Sequence, residues 1–81
     1  MKQHAYEVTL KHIADAQGNP STYTDILSFN SYNHDDIFNV LQVIQNSQML
    51  DDEAAKSFAV GLKLFSEVML EHKSLPLFKD F

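Results

Sequence analysis

Four groups of residues in this 81-residue chain carry side chains able to do chemistry. The first is His34-Asp35-Asp36, which combines an imidazole with two carboxylates. Metal ligands that share a helix face need a spacing of three or four residues. Consecutive residues point about 100° apart, so this run does not chelate within one helix. The plainer reading is helix capping and compensation of the helix dipole. His4 and His12 share a strand face but stand eight residues apart. That separation is roughly 26 Å at about 3.3 Å per residue, too far for one metal ion. Asp25 interrupts the inward pattern of the second strand, opposite Leu10 and diagonal to His12. A carboxylate beside an imidazole is an acid–base pair in outline. The competing reading is a solvated residue at an overhanging end of the hairpin. Glu71 and His72 are neighbours on a helix and diverge, and His72 is read as meeting the last helical carbonyls. No nucleophile elbow or glycine-rich phosphate loop is present, and the chain has two glycines. The aromatic residues Tyr6, Phe29, Phe38, Phe58 and Phe65 read as core. These observations give no catalytic residue, no cofactor-binding residue and no metal ligand, and the chain is expected not to be an enzyme.

The elements that would position these groups follow the order ββαα. Tyr6, Val8 and Leu10 alternate with Glu7, Thr9 and Lys11, the period of a strand with one wet face. Asp15-Ala16-Gln17-Gly18-Asn19-Pro20 reads as a turn. Tyr23, Leu27 and Phe29 then carry the inward pattern of a second strand, so a hairpin is expected over 5–32. A six-residue loop sets Val8 opposite Leu27 and Tyr6 opposite Phe29. The first helix is expected over 34–46, capped by Asn33 with Asp36 three residues on. Its core stripe is Ile37, Val40, Leu41 and Ile44. The second is expected over 52–73, capped by Asp51, with Asp52 and Glu53 in the first turn, His72 and Lys73 in the last, and Pro76 beyond it. Ala55, Phe58, Leu62, Phe65 and Met69 centre its apolar side, widened by Ala54, Gly61, Leu64 and Val68 to about half the circumference. Such a width suits two partners. Lys56, Lys63 and Glu67 mark its wet face, with Lys63 and Glu67 as a charge pair. Gly61 costs about 1 kcal/mol in a helix interior and is read as a point of close approach for another backbone. The tail, 74–81, is rich in large apolar residues and is expected to fold back or to dock on another chain.

Length and composition confine the function. The chain is one small α+β domain, 1–81, with a thin core. It has no cysteine, so disulfide and cysteine–zinc frameworks are excluded and a reducing, cytoplasmic location is expected. No signal peptide or membrane-spanning stretch is seen. The net charge is −5 and all six basic residues are lysines. Scattered lysines on an acidic chain suit neither nucleic acid nor anionic membranes.

The segments Asn33-His34-Asp35-Asp36-Ile37-Phe38, the run 54–70 from Ala54 to Leu70, and Pro76-Leu77-Phe78 together carry a resemblance. They are similar to a family of small bacterial proteins classified as a domain of unknown function. The similarity covers most of the chain from the second strand onward, and Gly61 to Leu70 is its most specific part. It implies a small α+β fold. It implies no established activity, substrate or cofactor and transfers no functional residue.

A two-stranded sheet is marginal in water, and both of its strands are edges. Pairing hairpins across a two-fold axis would give a four-stranded sheet. The function expected is therefore a non-enzymatic protein–protein interaction module that pairs with itself as a homodimer. The alternative is a small-ligand or regulatory domain, with a pocket between hairpin and second helix lined by Tyr6, Tyr23, Phe65 and Met69.

Overall fold

Period-two alternation in the first thirty residues and 3.6-residue periodicity in the rest resolve into a hairpin followed by two helices. The computed structural model describes residues 2–79. Strand β1 is His4–Leu10 and β2 is Leu27–Asn33. Helix α1 is Ile37–Ser47, helix α2 is Asp52–Glu71, and a short 3₁₀ turn, Pro76–Phe78, follows. The ββαα order and the α+β class agree with the sequence reading. The last two residues of the apolar tail, 80–81, lie outside the described residues. Within the described part the tail folds back, and the Phe78 ring meets Phe65 edge-on with centroids 6.2 Å apart.

The strands pair antiparallel with Val8 opposite Phe29, Tyr6 opposite Ser31 and Leu10 opposite Leu27. The expected register is therefore corrected by two residues. An even shift keeps each side chain on its face, so Tyr6, Val8, Leu10, Leu27 and Phe29 still share one side. The cause is visible at the hairpin tip. Ala14 bridges Pro20, and the Ser21 N–H donates to the Ile13 carbonyl at 2.9 Å. That ladder, continued, would set Leu10 opposite Thr24. It meets Leu27 instead, so three extra residues are taken up between Ser21 and Leu27. The expected strand over Ser21–Tyr32 is thus irregular as far as Ile26. The tip itself is locally built. Asp15 Oδ1 accepts from the N–H groups of Gln17 and Asn19, and Gly18 takes φ of +89°.

Asp36 caps α1, its Oδ1 accepting from the N–H groups of Phe38 and Asn39 at 3.0 and 3.3 Å. The helix therefore starts three residues later than an Asn33 cap would place it. Gln48 closes it in the left-handed region at φ 59°, returning its N–H to the Gln45 carbonyl. Asp51 caps α2 through the Ala54 N–H at 2.7 Å. Helix α2 packs on both α1 and β2.

The core differs from the one expected. Ile37, Ala55 and Ala59 are buried, the two alanines completely. Small side chains at a spacing of four let α1 come close along that line. Phe58 and Phe65, expected at the centre of the core, are about half exposed. The apolar side of α2 is wide enough for two partners, and the chain itself covers one flank. Among the described residues nothing lies within 4 Å of where a Gly61 Cβ would stand, so none of them makes the close backbone approach read for this glycine.

Candidate functional site

The densest set of polar contacts joins the end of β2 to the far half of α2. Asn33 is almost fully buried, and its amide Nδ2 donates to the Lys63 carbonyl at 2.9 Å. Its Oδ1 accepts from the Asp35 N–H at 2.9 Å, which turns the chain out of the strand. Glu67 is also buried, one turn along α2. Its Oε1 accepts from the His34 backbone N–H at 3.0 Å. Both of its oxygens lie 3.0–3.1 Å from His34 Nδ1. The His34 backbone N–H, with the ring beside it, holds the Glu67 carboxyl below the usual glutamate range. Lys63 Nζ donates to Asp35 Oδ2 at 2.8 Å and holds that carboxyl low in turn. On the other side, the Tyr6 hydroxyl donates to the Asp35 carbonyl at 3.0 Å and accepts from the Ile37 N–H at 2.8 Å. One hydroxyl thus ties β1 to the loop and to the first turn of α1.

These groups surround a shallow depression of about 190 Å³ lined by Asn33, His34, Asp35, Lys63, Ser66, Glu67 and Leu70. A carboxylate on Nδ1 orients an imidazole, the outline of an oriented base. The polar atoms are, however, spent on one another: Glu67 on His34, Lys63 on Asp35, Asn33 on the helix backbone. Among the described residues every buried side-chain nitrogen or oxygen has a partner. The arrangement is a clasp that fixes loop 33–36 to α2.

The sequence candidates distribute as follows. His34, Asp35 and Asp36 diverge, to Glu67, to Lys63 and to the α1 cap. The Lys63–Glu67 pair expected on a wet face is corrected. Both residues turn toward loop 33–36, while Lys56 pairs with Glu53 at 2.9 Å. His4 lies at the start of β1 and stacks on Tyr6. His12 sits at the other end of the hairpin, where its Nδ1 meets Ser21 Oγ and its ring meets Tyr23 edge-on. Asp25 lies beyond the paired strands and borders, with His12 and Tyr23, an open hollow of about 540 Å³ at the hairpin end. His72 is the C-cap of α2, and its N–H reaches the carbonyls of Val68 and Met69. Among the described residues no group of three or more His, Cys, Asp or Glu is arranged to hold a metal ion.

The pocket expected between hairpin and second helix does not assemble from Tyr6, Tyr23, Phe65 and Met69. A groove of about 260 Å³ lies there, and of those four Tyr6 alone lines it. Its other walls include Val8, Ile37, Phe38, Leu41, Val60 and Leu64. Tyr23 is at the hairpin end, and Phe65 meets Phe78. The sequence reading missed Glu67 as a partner of His34. The two are 33 residues apart, and no periodicity links them.

A two-stranded hairpin clasped to a pair of packed helices defines a small ββαα domain of the α+β class. The chain belongs to the family described as a domain of unknown function with a solved structure, DUF3861, whose model matches residues 4–81. It is similar to a protein of unknown function from Pectobacterium atrosepticum SCRI1043, whose crystal structure was determined at 2.20 Å resolution. The two share 35% identity over 99% of this chain and 84% of that one, with a TM-score of 0.81. No curated protein matches the sequence. Among the described residues no helix is long and apolar enough to cross a membrane.

Proposed function

We propose that this chain is a non-enzymatic, cytoplasmic protein–protein interaction module whose first partner is a second copy of itself. The observation that carries the reading is its surface. The chain exposes 6873 Å². A folded monomer of its mass exposes about 4,900 Å² by the surface–mass relation. The excess, roughly 1,900 Å² on one chain, is of the size that obligate dimers bury, about 1,000–2,500 Å² a side. The radius of gyration supports the same reading, at 15.4 Å against about 12 Å for a closed domain of this length. So does the character of the exposed area, which includes Leu27, Phe29, Phe58, Leu62 and Val68. The clasp at His34 and Glu67 takes a structural role in this reading. The absence of cysteine from the sequence suits a reducing compartment.

Light scattering on a size-exclusion column, over a tenfold concentration range, tests the proposal. A mass near twice that of the chain throughout is the expected result. A single-chain mass at every concentration would overturn it.

A further inference from the structure

Helix α2 has a charge-free side on which Phe58 and Val68 stand about half exposed. Its six charged residues, Asp52, Glu53, Lys56, Lys63, Glu67 and Glu71, fall within one sector about 100° wide at 100° per residue. Opposite that sector run Ala54, Phe58, Gly61, Phe65 and Val68, at successive spacings of four, three, four and three. This is the spacing of a seam between two helices. Phe58 is 50% exposed and Val68 48%, and Leu62 beside them is 40% exposed. Phe65 contributes its edge while Phe78 covers part of it. At the middle of the seam stands Gly61. A glycine there weakens the helix. Among the described residues nothing lies within 4 Å of the missing Cβ, so none of their contacts requires a glycine there.

We propose that α2 pairs with α2 of a second copy, antiparallel about a two-fold axis through Gly61. The inference rests on the dimer proposed above and names its surface. The sequence around Gly61 is complementary to itself when reversed. Ala54 of one copy meets Val68 of the other, small against larger, at both ends. Phe58 of one copy lies beside Phe65 of the other, so the rings flank the crossing on both sides. Gly61 meets Gly61, which lets the backbones come closer than the ordinary 8–10 Å or so between helix axes. A two-fold contact demands this self-complementarity.

Cysteine scanning tests it, because the described chain holds no thiol that would compete. Gly61→Cys places two thiols at the axis, within the Cα separation of about 4.4–6.8 Å that a disulfide spans. Mild oxidation should convert most of this variant to a covalent dimer, with Glu53→Cys, in the charged sector, remaining single. Gly61→Ala gives a second readout. On a helix face that nothing contacts, alanine raises the melting temperature. At the seam it lowers the melting temperature and raises the dimer dissociation constant at least about tenfold, the size of effect expected from overpacking a tight contact. A wild-type dimer in which Gly61→Cys stays uncrosslinked and Thr9→Cys or Ser28→Cys crosslinks instead would move the interface to the strands and overturn the seam, leaving the dimer intact. A wild-type monomer would overturn both.

Discussion

Lys63 and Glu67 lie on one side of α2, bonded to the segment that leaves β2, while Phe58 and Val68 on the other side of the same helix stand half in water. The first side is finished within one chain: among the described residues each buried side-chain polar atom has its partner. The second side is made of residues that suit a core, yet Phe58 and Val68 there stay about half exposed. Polar satisfaction is demanding of geometry and is completed locally, since an unpaired buried group costs more than a made bond gains. Apolar surface makes no such demand and can be completed by another molecule. The clasp thus reads as what holds the fold, and the bare side as what the fold presents.

Perturbing each side tests this division. The largest effect is expected where clasp and helix pair meet the buried core. Ile37→Ala should cost about 2–5 kcal/mol in urea unfolding. A cost below about 1 kcal/mol would mean that Ile37 is not the core the helices share. Next comes the clasp. Asn33→Ala leaves the Lys63 carbonyl and the Asp35 N–H without their partner and should cost about 1–3 kcal/mol, read from the same unfolding curves. Glu67 gives the comparison a pH axis. Its carboxyl is held low by the His34 N–H, so its contribution is present above the ordinary glutamate range and is lost as pH falls through the depressed value. Melting temperature should therefore drop steeply on the acid side, and Glu67→Gln should flatten that limb. An unchanged acid limb in the variant would assign the loss to other carboxylates, Asp35 first. A smaller effect is expected at the α1 cap, where Asp36→Ala should cost about 1 kcal/mol. The smallest belongs to the exposed Lys56–Glu53 pair, and Lys56→Ala should leave stability unchanged by calorimetry.

The sequence carried the order of elements and the faces of the strands, because both follow from periodicity, a local property. It did not carry the register. The turn at Asp15–Asn19 is legible, but the three residues absorbed before Leu27 leave no mark in the alternation. The helix start was misplaced for a related reason. Asn33 is a good cap by type, yet it is drawn into β2 and into a bond with α2, and Asp36 takes the role. The apolar width of α2 was readable. Which flank the chain would cover was not, since Ala55 and Ala59 make little hydrophobic signal and win by allowing closeness. Glu67 looked like surface because a carboxylate usually is. Its partner, His34, is reached through the fold and not along the helix.

Among the described residues the buried apolar side chains are Ile37, Ala55 and Ala59. In the proposed dimer, a fold that keeps so little of its apolar surface to itself would tie its survival to how much of it is made. Each chain leaving the ribosome would be vulnerable to proteases until it met another. The standing level of the protein would then rise more steeply than its rate of synthesis, and scarce chains would be cleared first.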